Sequence, residues 1–388
     1  MTLSPDSPEY GWLALSLVGG LGFKTIRKLQ ERFGGVADVL SRPAQDLKDL
    51  GKVSQELALR ISRATQARSF RMECRLLDEN PEIRLLCPES QDFPTHLAQI
   101  STPPSVLYWQ GNLEHLEAPC FAFVGSRRCT PYGRQQTKRL VVEIAEAMPN
   151  AVIVSGLARG IDTTAHEAAL EHNLKTVAVL AGGLQHLYPP ENQSLAEAIK
   201  AKGALISEFP LAVRPLARNF PIRNRVISGV SLGVVVTEAH KKSGANITAA
   251  FALQQNREVF ALPGRVDSPA SEGTNRLISR SQAKLVSSAS DILEEFPNLP
   301  TDALKIQSTL PLSPPSQQVT VGDLPDSHHQ ILKTLEQKTS TADDLHAQTG
   351  IEIGIVLSAL VELELMGFVR LHGQTYQLED NISFEPRS

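Results

Sequence analysis

Four segments combine glycine with cationic or amide side chains in a way suited to holding an anion. They are Val124-Gly125-Ser126-Arg127-Arg128, Ser155-Gly156-Leu157-Ala158-Arg159-Gly160-Ile161-Asp162, Gly182-Gly183 with Tyr188-Pro189-Pro190-Glu191-Asn192, and Thr237-Glu238-Ala239-His240 running into Lys241-Lys242-Ser243-Gly244-Ala245-Asn246-Ile247-Thr248. Glycine lets backbone amides approach an anion, and a helix N-terminus adds partial positive charge. One such segment is explained by a tight turn alone. Four of them, carrying Arg127, Arg159 and Lys242, point to a shared binding edge. A fifth stretch, Arg218-Asn219-Phe220-Pro221-Ile222-Arg223-Asn224-Arg225, sets arginines and an asparagine beside an aromatic ring. Arginine forks onto phosphate and stacks on bases, and Phe220 offers a face to an unpaired base. The plainer reading is a helix start with Arg223 and Arg225 in salt bridges.

Catalytic chemistry finds less support. No segment reads GxGxxG or GxxxxGK[ST], which disfavours a dinucleotide enzyme or a P-loop nucleotidase. Ser155-Gly156 is not GxSxG. Asp162 and His166 are four apart, an acid–base spacing without a third partner; Asp162 as a helix N-cap and His166 as a packed residue is the better expectation. Cys74, Cys87, Cys120 and Cys129 form no CxxC pair. No catalytic set, metal or cofactor is expected.

The elements that must position these segments alternate. Strand-length apolar runs are FAFV (121–124), AVIVS (151–155), TVAVLA (176–181), ALIS (204–207), GVVVT (233–237) and EVFAL (258–262), with amphipathic helical patterns between them. That alternation predicts a doubly wound α/β domain with a mostly parallel sheet, whose ligand sits at the carboxyl ends of the strands. Before it, 1–80 reads as a helical module. Gly19-Gly20-Leu21-Gly22 leads into FKTIRKLQERF with Lys24, Arg27 and Lys28, and Leu50-Gly51-Lys52 precedes a second helix. This is either a helix-hairpin-helix element or an ordinary packing unit. The sheet domain takes 81–296, with its core at 119–296, and a Pro/Ser-rich linker covers 297–326. At 327–380, three helical patterns and a hairpin turning at His372-Gly373 predict a winged helix. The apolar residues of its third helix, Ile353, Val356, Leu357, Leu360, Val361 and Leu363, are expected mostly in its own core.

The chain is 41% hydrophobic and 21% charged, with a net charge of −4. No apolar run reaches the roughly 18 residues of a membrane span, and MTLSPDSPEYG does not look like a signal peptide, so a cytoplasmic protein is expected. The charge is uneven. Residues 119–296 carry 20 basic and 15 acidic side chains, whereas 297–388 carry 5 and 12. A basic middle suits a central anionic ligand. The third helix of the winged domain, 351–366, contains no lysine or arginine but has Glu352, Glu362 and Glu364. That argues against the usual major-groove role.

VGSRRCTPYG, SGLARGIDTTAHEAAL, GGLQHLYPPEN, ALISEFP, FPIRNRVISG, SGANITAAFAL, REVFALPGRVDS and EGTNRLI occur in this order. The series resembles the DNA-processing protein A family, also called DprA or Smf, over 119–296. DFP (92–94) and PPSVLYWQGN (103–112) are similar to the family's segment before the Rossmann-like core, and the two ends look like its SAM-like and winged-helix modules. The resemblance implies a Rossmann-like, non-enzymatic protein that binds incoming single-stranded DNA in transformation and loads the RecA recombinase, acting as a homodimer. It implies a strand-end pocket at Gly125, Ser126 and Arg127, with Arg159, Gly160, Phe220, Arg223, Asn224, Arg225, Lys242, Ser243, Gly244, Asn246 and Thr248 around it. Where the family has glycine–alanine after LI, this chain reads Ser279-Arg280-Ser281-Gln282-Ala283, which questions the turn there. Two other readings stay open: a phosphoribohydrolase-like nucleotide-processing enzyme, whose signature only Thr237-Glu238 faintly suggests, and an adaptor working through the winged helix.

Overall fold

The computed structural model describes residues 3–299, 324–366, 368–372 and 375–378. They form two compact units, one on each side of residues 300–323. Most of the expected linker therefore lies outside the described residues, as does Gly373 of the expected hairpin tip.

The first unit is built on a nine-stranded sheet. Its strands are β1 (Arg84–Leu86), β2 (Leu107–Gly111), β3 (Cys120–Val124), β4 (Val152–Ser155), β5 (Lys175–Val179), β6 (Ala204–Ser207), β7 (Gly233–Val236), β8 (Glu258–Ala261) and β9 (Lys284–Leu285). They lie in the order β1-β2-β6-β5-β4-β3-β7-β8-β9. From β6 to β9 all pairings are parallel, whereas β2 pairs antiparallel with both β6 and β1. The six predicted strands are the central parallel ones. The expectation missed β1, β2 and β9: β1 and β9 are only three and two residues long, whereas β2 starts within Val106-Leu107-Tyr108-Trp109, an apolar run as long as FAFV that lies outside the alternating series.

Alternation along β3 explains the two-sided burial. Phe121 and Phe123 join Leu140, Ile144, Ala165 and Ala168 from the helices Pro131–Ala147 and Ile161–Glu171. Ala122 and Val124 join Val226, Ile227, Ala249 and Ala252 from Asn219–Gly229 and Gly244–Gln254. Burying both faces requires continuous apolar strands, which is why they were readable as runs. From β3 the chain moves outward through β4, β5 and β6, then returns to β7 on the other side of β3. That reversal opens a crevice at the carboxyl ends of β3 and β7.

The N-terminal helices enclose their own core around Trp12, Leu13, Ile26, Leu29 and Ile61, which continues onto Tyr108, Leu205 and Leu211 of the sheet domain. Glu73 accepts a hydrogen bond from the Leu211 amide at 2.7 Å. Helix Phe23–Phe33 buries Ile26 and Leu29 and leaves Lys24, Arg27 and Lys28 exposed.

The turn after Glu272–Ser279, which the sequence left in question, forms without glycine. Ser281 takes the left-handed conformation at φ 53°, and the amides of Ser281 and Gln282 bond back to Ile278 and Leu277. A short polar residue tolerates this backbone at modest cost.

The second unit has helices Asp326–Gln337, Ala342–Thr349 and Ile353–Leu365, with the antiparallel strands β10 (Val369–His372) and β11 (Thr375–Leu378). Val356, Leu360 and Leu363 fill its core with Ile331, Leu332 and Leu335. The expected core assignment needs correcting at Leu357 and Val361, which are 47% and 54% exposed. They fall on the helix face opposite that core.

Candidate nucleic-acid interface

A cavity of about 560 Å³ opens at the β3/β7 crevice. The loop after β3 supplies Gly125, Ser126, Arg127 and Arg128. The helix Asn219–Gly229 supplies Phe220, Arg223 and Asn224, and the entry to Gly244–Gln254 supplies Lys242, Ser243, Gly244 and Thr248. Ser126 is fixed by its amide bonding to the Glu238 carbonyl at 2.8 Å and by its own carbonyl accepting from the Ile161 amide at 3.3 Å. Its hydroxyl accepts from the Arg128 amide at 3.2 Å. The loops after β3, β4 and β7 are thus tied together before any ligand arrives.

The arginines divide into two kinds. Arg127 is exposed, lies 4.5 Å over the Phe220 ring, and has no ion pair among the described residues; neither has Lys242. Both are available to an anion. Arg223, only 3% exposed, donates to the carbonyls of Gly156, at 2.8 Å, and Val179. A Cβ on Gly156 would lie 2.2 Å from that guanidinium, so glycine is what admits the arginine. Burial pulls the Arg223 pKa down to about 10, against the attraction of Asp162 and with the repulsion of Arg127, leaving it cationic at neutral pH. It lines the cavity as a fixed charge while holding the loop after β4 to the end of β5.

Arg159, Gly160, Arg225 and Asn246 do not line this cavity. Arg159 pairs with Glu191 and donates to the Tyr188 hydroxyl at 3.4 Å. Gly160, at φ 78°, caps the helix Ile161–Glu171 and packs against the Ser126 carbonyl, leaving no room for a Cβ. Arg225 pairs with Glu208 in a part-buried site. Asn246 bonds to the carbonyls of His240 and Lys241, each at 3.0 Å, and faces a recess of about 250 Å³ with Lys241, Arg276 and Arg280. Arg128, His240 and Ile247 were not singled out but line the cavity. They stood inside the segments read as anion-holding, and only the folded backbone shows which way each faces.

The acid–base candidates are structural. The N-cap expectation for Asp162 is corrected: Gly160 is the cap, and Asp162, two residues further on, accepts from the Gly156 amide at 3.1 Å. Burial raises its pKa, opposed by Arg223 and by backbone hydrogen bonds. His166 is buried, with Nδ1 2.6 Å from the Thr176 hydroxyl. Because Thr176 donates to the Ile153 carbonyl at 2.7 Å, Nδ1 carries the histidine proton. Burial, helped by Arg223, pushes the His166 pKa down to about 3, so the ring is neutral. Glu238 is also committed: its carboxylate accepts from the Thr130 amide at 2.8 Å and hydroxyl at 2.5 Å, anchoring β7 to the start of helix Pro131–Ala147. It does not face the cavity.

Among the described residues no His/Cys/Asp/Glu cluster could hold a metal, and the four cysteines are unbridged. No described helix is long and apolar enough to cross a membrane.

Comparison with known proteins agrees with this architecture. The family model for DNA recombination-mediator protein A matches residues 84–297, and the model for the DprA winged helix domain matches 313–374. Protein Smf of Synechocystis sp. is 33% identical over 96% of this chain and 99% of its own. The DNA processing protein DprA of Bacillus subtilis is 44% identical over 54% of this chain and 69% of its own. The crystal structure of DprA from Streptococcus pneumoniae superposes with a TM-score of 0.65 at 33% identity, covering 76% of this chain and 99% of that one. The Helicobacter pylori DNA processing protein A, solved for its single-stranded-DNA binding mode, superposes with a TM-score of 0.50 at 32% identity, covering 55% and 95%. With the family model matching 84–297 and a relative 33% identical over nearly the whole of both chains, the chain belongs to the DNA recombination-mediator protein A family.

Proposed function

We propose that this protein binds single-stranded DNA in the β3/β7 cavity and acts by binding rather than catalysis, delivering the strand to RecA in transformation or recombination. The observation that carries the reading is a set of three cations without an ion pair among the described residues, Arg127, Arg128 and Lys242, flanking a glycine-walled cavity that also presents Phe220. Such a site contacts phosphate and ring faces rather than base edges, which favours unpaired DNA of any sequence. The H. pylori relative's recorded binding of single-stranded DNA supports the same reading. His166 and Glu238 are buried and bonded away from the cavity, and Asp162, which lines it, is buried with its carboxylate accepting from the Gly156 amide. Four unbridged cysteines suit a reducing cytoplasm.

The working form in this proposal is a homodimer. Leu285, on the edge strand β9, is 47% exposed, an apolar position for a second copy to cover. Titration of a fluorescent oligothymidylate at several salt concentrations, with duplex competitor, tests the binding. Displacement by duplex at equal nucleotide concentration would defeat it. Sedimentation tests the dimer, and the rate of RecA assembly on the same oligonucleotide, with and without the protein, tests the loading step.

A further inference from the structure

We propose that Tyr188 is a second base-stacking platform, so that a bound strand leaves the cavity across Phe220 and continues onto the loop after β5. The proposal rests on the single-stranded-DNA reading and extends its footprint beyond the cavity. Phe220 and Tyr188 meet edge to face, with centroids 5.9 Å apart and an interplanar angle of 78°. Arg127 stands 4.5 Å over the Phe220 ring at one end, and Arg159 stands 5.7 Å from the Tyr188 ring at the other. The four side chains form one unbroken row of cation, ring, ring, cation, half inside the cavity and half outside it. Tyr188 is 38% exposed, and the two prolines that follow restrict its backbone, so the ring is presented rather than tucked away.

The geometry also separates the roles of the two arginines. Arg127 is unpaired and meets phosphate. Arg159 has its charge matched by Glu191 and its NH1 on the Tyr188 hydroxyl, so it acts as a positioning residue for the ring. Two bases lying on rings at 78° cannot remain stacked on each other. An unpaired strand meets that by rotating its backbone, whereas a duplex must first break its pairs. The Tyr188 platform therefore adds to single-strand preference.

The test is a cycle between protein and DNA in the full chain, using fluorescein-labelled oligothymidylates of about 16 nucleotides and the same oligonucleotides carrying an abasic residue stepped along the strand. Tyr188→Ala is expected to weaken the intact oligonucleotide roughly five- to 150-fold, the range for one lost base–aromatic stack, and Tyr188→Phe to restore most of that. At one abasic position the native protein should lose affinity while Tyr188→Ala loses no more. Tyr188→Trp adds a fluorophore that a stacked base should quench. Equal affinity of native and Tyr188→Ala proteins, or a Tyr188→Ala loss that remains additive at every abasic position, overturns the platform. Absence of binding by the native protein would instead sink the single-stranded-DNA reading itself.

Discussion

The cavity mouth is where open α/β sheets hold their ligands, and the third helix of a winged domain is where that fold meets DNA; here their side chains are opposite in kind. The mouth presents Arg127 and Lys242 without ion pairs, next to Phe220. The helix Ile353–Leu365 has no lysine or arginine, and it exposes Leu357 and Val361 alongside Glu362 and Glu364. Glu362 also takes up the nearby His328, at 3.1 Å. Binding a polyanion releases counterions in proportion to the cations that reach phosphate. A winged domain whose third helix carries no cation, and whose carboxylates outnumber its cations, has little to offer DNA, whatever its fold. Available cation, rather than the name of the motif, tells the two regions apart.

Within the cavity the same distinction separates Arg223 from Arg127, and this is where the largest effect is expected. Arg223→Ala leaves the carbonyls of Gly156 and Val179 without their donor and Asp162 without its counter-charge. It should lower unfolding free energy by about 3 kcal/mol in a urea titration. A stable Arg223→Ala protein with weakened DNA binding would make Arg223 a contact residue and break the division. Arg127→Ala should do the reverse, weakening oligonucleotide affinity by about 1–3 kcal/mol with the urea midpoint unchanged. Unaltered affinity in that folded variant would move the site elsewhere. For Lys242→Ala, a loss of about 1 kcal/mol is expected, with a salt slope shallower by roughly one contact; an unchanged slope would mean that Lys242 never meets phosphate.

The smallest effect belongs to the other region. Removing 327–388 should leave affinity within about twofold, since a tail with four basic side chains among many carboxylates has few counterions to release. A tenfold loss with a shallower slope, in a truncated protein that remains folded, would show that the winged helix binds DNA and erase the contrast. If affinity holds, the exposed Leu357 and Val361 become the place to look for a protein partner.

The amino-acid sequence by itself determined the six central strands, the covering helices and the edge on which the glycine segments converge. Strands buried on both faces read as unbroken apolar runs, and amphipathic helices repeat every three to four residues, so both signals are local. It also located most of the cavity wall, because residues that follow a strand end stay at that end. Only the tertiary structure decided which arginines are free. Arg127, Arg159, Arg223 and Arg225 look alike in the sequence, yet Glu191 meets Arg159, Glu208 meets Arg225, and the carbonyls of Gly156 and Val179 meet Arg223. Those partners come from other loops and strands, and a charge is neutralised by what lies within a few ångströms of it in space, a distance that no spacing along the chain encodes.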